Sequence, residues 1–188
     1  MLFRSLLQVF FAMLLKFFSI KAILVSNNTC GDIMALEEEV VNKLLEKGYT
    51  ISFAESCTGG LCCGTLVNVT NASKVLNVSF VTYANEAKIE FLGVLADTIL
   101  SNGVVSEEVA YEMALGVSKT AKSNVGVGIT GVAGPGGGTE KKPVGMVCFG
   151  FCINGEVKTY TKQFGEIGRN QVRKSSVEFV LSKLLELI

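Results

Sequence analysis

The residue best suited to chemistry in this chain is a serine, Ser56, in the segment ESCTGG at 55–60. The pattern places it at a sharp turn from a strand into a helix, where its hydroxyl would be exposed and the following N–H groups would point outward. The amides of Thr58, Gly59 and Gly60 would then bind a phosphate or a developing oxyanion. Spacing alone supports equally a second interpretation, in which Ser56 is a plain helix cap that bonds backbone amides.

The base that would activate such a serine cannot be histidine, because the 188 residues contain none. This excludes Ser-His-Asp and Cys-His catalysis and every zinc site that uses imidazole. Lysine, tyrosine, a carboxylate or a thiolate remains as the base. Cys57 ranks well below Ser56 as a nucleophile, since a thiol without a neighbouring histidine needs another activator.

A second segment, TYANEAK at 82–88, supplies a lysine and a tyrosine. Lys88 could serve as the base if a cleft desolvated it and lowered its pKa, with Tyr83 relaying the proton or holding the lysine. The residues alone favour the plainer alternative, a solvated surface lysine. Asn85 is interpreted first as a helix cap and only second as a donor to a substrate oxygen.

A third segment, TGVAGPGGG at 130–138, has the glycine density of a loop that approaches a ligand closely. It fits neither a Walker A loop nor a dinucleotide-binding fingerprint. Thr130 is its best-placed polar contact, and a mobile hairpin loop is the competing interpretation. In the last helix, Arg173 lies one turn before Val177 on the core-facing side, where it would reach a phosphate or, as the favoured alternative, form a structural ion pair.

Strands and helices alternate early in the chain, and a hairpin follows late. The periodicity predicts helices over 36–47, 61–69, 85–92, 106–122 and from 168 onward, and strands over 50–54, 78–83, 125–129, 144–153 and 157–163. This order predicts a single α/β domain with three α/β/α layers and a mixed central sheet. The three segments follow the carboxyl ends of strands, so parallel strands would bring them to one edge.

The composition excludes some classes of function. The 17 basic and 17 acidic residues cancel, which argues against a nucleic-acid partner. The six cysteines lack Cys-x-x-Cys spacing, which indicates core residues in a reducing compartment and predicts a cytoplasmic protein.

The first 33 residues differ from the rest, since residues 1–25 are strongly apolar but interrupted by Arg4, Lys16 and Lys21. An interfacial helix that touches a membrane, or a transit peptide, is the less favoured interpretation. The favoured one is an upstream start assigned in error, with Met34 as the first residue of the domain. The expected division is an N-terminal apolar extension over 1–33 and one domain over 34–188.

Four segments in register resemble the CinA C-terminal domain family, and the resemblance runs from about Met34 to the end. They are AESCTGGL at 54–61, TYANEAK at 82–88, GVVS at 103–106 and TGVAGPGGG at 130–138. The larger members of the family carry an upstream domain that finds no match in this sequence, so roles in competence or pyrophosphate cleavage are not transferred.

The resemblance implies an amidohydrolase that converts nicotinamide mononucleotide to nicotinate mononucleotide and ammonia, for pyridine-nucleotide salvage. It implies neither metal nor cofactor, and a serine nucleophile assisted by a tyrosine and a lysine. Those roles carry over to Ser56, Tyr83 and Lys88. In an alternative mechanism, Ser56 only orients a water molecule.

The predicted substrate contacts combine the three segments with the last helix, and the loop from Thr130 would hold ribose and phosphate. They are Thr58, Gly59, Gly60, Asn85, Thr130, Gly131, Gly134 and Arg173. The partners expected are a small nucleotide substrate and further copies of the chain in a homo-oligomer. The rival hypotheses are a non-catalytic nucleotide-binding regulatory module and an amidohydrolase of another small amide.

Overall fold

The computed structural model describes residues 35–188, and the predicted extension over 1–33 lies outside them. The helices are α1 (Leu36–Lys47), α2 (Leu61–Leu66), α3 (Asn85–Leu92), α4 (Ala96–Asn102), α5 (Glu107–Ala121) and α6 (Arg169–Leu187). The strands are β1 (Ile51–Glu55), β2 (Phe80–Val81), β3 (Val125–Gly131), β4 (Met146–Ile153) and β5 (Glu156–Gln163), and a short 3₁₀ turn spans Ala72–Lys74. None of the helices within 35–188 has the length and hydrophobicity that a membrane crossing requires.

The five strands form one mixed sheet in the order β2-β1-β3-β4-β5. Strand β1 runs parallel to both β2 and β3, whereas β4 pairs antiparallel with β3 and with β5. The turn between β4 and β5 is the predicted Asn154-Gly155 hairpin, and both residues have positive φ, 50° and 92°. The mixed sheet predicted from the sequence is therefore confirmed.

Helices cover both faces of the sheet, which confirms the predicted three layers. On one face α1 and α6 bury a continuous apolar core against β1, β3 and β4. On the other face Val109, Met113 and Val117 of α5 pack with Ala54 of β1 and with Leu92 of α3. Helices α1, α5 and α6 therefore each bury an apolar stripe against the sheet.

Glycines set how closely the helices approach the sheet and each other. A Cβ at Gly128 of β3 would lie 2.6 Å from the backbone of α5, and one at Gly150 of β4 would lie 2.2 Å from it. A Cβ at Gly116 of α5 would lie 2.0 Å from the carbonyl oxygen of Leu92, at the end of α3. Helix α5 thus rests directly on the sheet, and α3 rests directly on α5.

Strand β2 differs from its prediction as a buried strand over 78–83. It is two residues long and lies at the edge of the sheet, with Val78 39% exposed and Val81 56% exposed. An edge strand pairs with only one neighbour, and its other side is uncovered. The two valines therefore stay exposed, although the apolar composition predicted burial. Helix α2 is also shorter than predicted and ends at Leu66. Helix α4 was not predicted, and none of its residues is fully buried.

Candidate active site

The parallel pairing of β1, β2 and β3 brings the three segments to one edge of the sheet, as expected. Just beyond β1, the amide of Ser56 donates to the carbonyl of Ile129 in β3 (3.0 Å). Just beyond β2, the amide of Thr82 donates to the carbonyl of Glu55 (2.9 Å). These two bonds continue the sheet past the ends of its strands and fix the starting point of each loop.

Lys88 is the central feature of this edge, because its side chain is fully buried. Its Nζ lies 3.3 Å from the Ser56 Oγ, and it donates to the carbonyl of Thr82 (2.8 Å). The carbonyls of Tyr83 and Ala84 lie slightly farther away, each at 3.4 Å. The alternative of a solvated surface lysine is wrong, because the side chain points back toward the start of α3 and into the sheet edge.

Burial lowers the pKa of Lys88 below its ordinary value, since desolvation disfavours the ammonium form. Cys57 and Glu86 oppose this shift by smaller amounts. A neutral amine has two N–H donors and one lone pair. In the structure the Lys88 Nζ donates to the Ser56 Oγ. In the neutral form, the amine would donate its two N–H groups to two of the carbonyls and direct its lone pair at the proton of the Ser56 hydroxyl.

Ser56 is half-buried and is not the cap of the following helix. The N-cap of α2 is Gly60, and the carboxylate of Glu55 accepts from the amides that begin this helix. The cap interpretation of Ser56 is therefore wrong, and its hydroxyl faces Lys88 instead. A serine hydroxyl beside a buried amine is the arrangement of an activated nucleophile.

The amides expected to bind an oxyanion are partly engaged within the protein. The amide of Gly59 donates to the Ser56 carbonyl (3.1 Å), and that of Gly60 donates to the Glu55 carboxylate (2.9 Å). Both glycines have positive φ, 60° and 92°, which other residues rarely adopt. The expectation for these two amides is corrected, because in this structure they serve the shape of the loop. Thr58 is fully buried, and its hydroxyl bonds no residue within 35–188.

The neighbouring thiol is a poor competitor for the role of nucleophile. Burial, with a smaller contribution from the charge of Glu55, raises the pKa of Cys57 to about 12, although nearby backbone amides and the charge of Arg169 oppose this shift. The thiol is therefore neutral near pH 7 and lacks the thiolate that nucleophilic attack requires.

Tyr83 is exposed on this edge, with 61% of its surface accessible. Its hydroxyl accepts from a guanidinium N–H of Arg169 (3.0 Å), and a second N–H of Arg169 donates to the carbonyl of Gly134 (3.0 Å). Arg169 thereby joins the second segment to the glycine-rich third one. The sequence places Arg169 one turn before Arg173 in the last helix, but a contact was predicted only for Arg173.

Arg173 lies at the same edge and contacts the first segment. Its guanidinium donates to the carbonyl of Thr58 (2.8 Å), and a Cβ at Gly59 would lie 3.5 Å from the same nitrogen. Within 35–188 it forms no ion pair, so the predicted structural ion pair is replaced by a backbone contact. The last helix therefore supports the Ser56 loop through Arg173.

Asn85 is the first residue of α3, where the N-cap is Ala84 and no side chain caps the helix. The cap prediction for Asn85 is therefore wrong, and its exposed side chain remains a predicted substrate contact.

The predicted contacts of the third segment lie beyond β3. Thr130 is 1% exposed, and its hydroxyl donates to the carbonyl of Val104 (2.8 Å), which ties the loop to the GVVS segment. A Cβ at Gly131 would lie 2.9 Å from the carbonyl oxygen of Met146. These contacts are internal, so Thr130 and Gly131 shape the loop in this structure. Among residues 35–188 we find no group of three side chains that could hold a metal ion.

Comparison with known proteins assigns the chain to a family. The model of the CinA C-terminal domain matches residues 33–188, and the chain therefore belongs to the CinA family. It is 48% identical over 147 residues to a CinA-like protein of Kosmotoga olearia, covering 78% of this chain and 35% of that protein. The chain spans less than two fifths of the length of the curated relatives it matches.

Two solved structures support this family assignment. The crystal structure of the competence/damage inducible protein CihA from Agrobacterium tumefaciens is 37% identical, with a TM-score of 0.76, covering 84% of this chain and 99% of that one. A CinA superfamily protein from Escherichia coli is 33% identical, with a TM-score of 0.78, covering 81% of this chain and 88% of that one.

Proposed function

We propose that this protein is an amidohydrolase that converts nicotinamide mononucleotide to nicotinate mononucleotide and ammonia. The observation that carries the proposal is a fully buried Lys88, with a lowered pKa, 3.3 Å from the Ser56 hydroxyl. A nucleophile and a base in contact are the parts that amide hydrolysis needs. Membership of the CinA family supports the choice of substrate through the resemblance described above.

In the first half of the reaction, the Ser56 Oγ attacks the carboxamide carbon while Lys88 accepts the hydroxyl proton. The tetrahedral intermediate collapses, the C–N bond breaks, and Lys88 returns the proton to the leaving nitrogen, which departs as ammonia. In the second half, water gives a proton to Lys88 and attacks the acyl-serine ester. The carboxylic acid forms, and Ser56 recovers its proton from Lys88.

The route of the proton runs directly between Lys88 and Ser56 in this proposal. The hydroxyl of Tyr83 bonds Arg169, whereas its backbone carbonyl lies 3.4 Å from the Lys88 Nζ. We infer that Tyr83 assists by holding Lys88 through this carbonyl and by presenting its exposed ring to the substrate. An aromatic ring of this kind can stack on a pyridine ring.

The phosphate of the nucleotide is negatively charged, and the exposed guanidinium of Arg169 is a cation at this edge that would bind it. Arg173 stands behind the Ser56 loop, where it donates to the Thr58 carbonyl. The loop from Thr130 to Gly134 would then follow the ribose, since the Gly134 carbonyl is already bonded to Arg169.

A panel of three amides tests the proposal: nicotinamide mononucleotide, nicotinamide riboside and free nicotinamide. We expect the purified protein to release ammonia and the mononucleotide acid in equal amounts from the first, and to act at least about tenfold more slowly on the two without phosphate. Equal rates on all three would show that the protein does not recognise the phosphate, and would favour an amidohydrolase of another small amide. Nucleotide binding without any ammonia release would assign it to a regulatory binding module.

A further inference from the structure

The carboxylate of Glu55 is a second buried charged group at this edge. Its side chain is 1% exposed, and its two oxygens accept from three backbone amides. These belong to Gly60 (2.9 Å), Cys62 (3.1 Å) and Cys63 (2.9 Å), at the start of α2. Within 35–188 the carboxylate forms no ion pair, so the amides and the helix dipole balance its charge.

These bonds close a short loop around the nucleophile. Glu55 immediately precedes Ser56, and its oxygens reach five, seven and eight residues ahead. The other side of the loop is held by the Ser56 amide on Ile129 and by Arg173 on the Thr58 carbonyl. Ser56 is therefore fixed from both directions, and its hydroxyl is the group of this loop that lies against Lys88.

The same bonds remove a binding site that the sequence suggested. The beginning of a helix attracts anions because its first amides have no partner within the helix. At the start of α2, the Glu55 carboxylate accepts from three of these amides, and the Thr58 carbonyl accepts from that of Leu61. The protein's own groups therefore occupy the amides at this helix start, where the sequence predicted a phosphate or an oxyanion.

We propose that Glu55 is a positioning residue, which holds Ser56 in reach of Lys88 by fixing the start of α2. The proposal rests on the proposed function, since it assigns Ser56 the role of nucleophile. Glu55 acts through the loop and does not touch the substrate. Its removal should therefore lower kcat far more than it changes KM.

The test compares Glu55→Gln with the parent. Glutamine keeps the size and one acceptor oxygen, so two of the three amide bonds survive at best. We expect kcat for the mononucleotide to fall by about 10- to 100-fold while KM changes by less than about threefold. Glu38→Gln is the matched control, because Glu38 is an exposed glutamate in the first turn of α1, and we expect parent kinetics from it.

A second readout separates this proposal from the choice of substrate. The rate at which phenylmethylsulfonyl fluoride sulfonylates Ser56, with loss of fluoride, reports the reactivity of the hydroxyl directly. We expect Glu55→Gln to react about 10- to 100-fold more slowly than the parent. If the parent reacts at Ser56 and the variant is slower, while neither protein hydrolyses the mononucleotide, the positioning role stands and the proposed function fails.

Either of two results would overturn the positioning role. One is a folded Glu55→Gln variant with the parent's kcat and the parent's sulfonylation rate. The other is a parent that neither hydrolyses the mononucleotide nor reacts at Ser56, which would end both proposals. If Glu55→Gln does not fold, Glu55→Asp replaces it: the charge remains but the reach is one methylene shorter, and we expect a smaller fall in kcat at the same KM.

Discussion

The contact between α5 and α3 gives a prediction that links packing to chemistry. Gly116 of α5 faces the end of α3, and the substitution Gly116→Ala would place a Cβ 2.0 Å from the carbonyl oxygen of Leu92. A close C···O contact measures about 3.3 Å, so α3 must move by about 1.3 Å. Lys88 lies one turn before Leu92 in the same helix. Its amine would therefore lose its 3.3 Å contact with the Ser56 hydroxyl.

The magnitude of the effect has two parts. Overpacking of this kind costs about 1–3 kcal/mol, which lowers the melting temperature by roughly 2–12 °C in a chain of this size. A displacement of about 1 Å at the base lowers kcat by about 100-fold. Thermal unfolding by circular dichroism and ammonia release from nicotinamide mononucleotide measure the two parts separately.

The chain offers a matched control in Gly64→Ala. Gly64 also lies within a helix, α2, but a Cβ there meets nothing within 4 Å. We expect this variant to keep the parent's kcat and to gain up to about 1 kcal/mol from helix propensity. If Gly116→Ala matched Gly64→Ala in both stability and turnover, the described packing of α3 on α5 would be wrong.

Three further predictions concern the site. Because the neutral form of Lys88 exists above its lowered pKa, kcat/KM should fall as pH decreases through that pKa, and a flat profile would contradict this. The variant Lys88→Arg should be inactive at every pH, because a guanidinium does not deprotonate. Cys57→Ala should keep kcat within about threefold, because a thiol of pKa about 12 is neutral; a loss above about 100-fold would assign the attack to Cys57. Tyr83→Phe should also keep kcat within about threefold, whereas a proton relay through the hydroxyl would cost about 100-fold or more.

Local signals were sufficient for much of the fold. An apolar stripe and the Gly48 stop predicted both bounds of α1 as observed. The Ser106 cap of α5 was likewise correct, since its hydroxyl accepts from the amide of Val109 (3.3 Å). The turn at Asn154-Gly155 has one strong local signature. These features depend on residues close in sequence, so one sequence is enough to predict them.

The interpretations that failed depend on contacts between distant residues. The buried amine of Lys88 lies against Ser56, 32 positions earlier in the chain, and no pattern around 82–88 displays that contact. The amides that begin α2 are bonded by the carboxylate of Glu55, five residues before the N-cap Gly60 and too far upstream for the usual cap signature. The contact of Arg169 with Tyr83 joins residues 86 positions apart. The family resemblance, and not the local pattern, indicated that Lys88 belonged to the site.

The most direct test of the account is ammonia release from nicotinamide mononucleotide by the parent, Ser56→Ala and Ser101→Ala, in buffer with a chelator. Ser101 is an exposed serine of α4 and serves as the control. We expect parent rates for Ser101→Ala and a loss of at least about 1,000-fold for Ser56→Ala, the size expected when a nucleophile is removed. A Ser56→Ala variant that stays folded and retains more than about a tenth of the parent's rate would contradict Ser56 as the nucleophile.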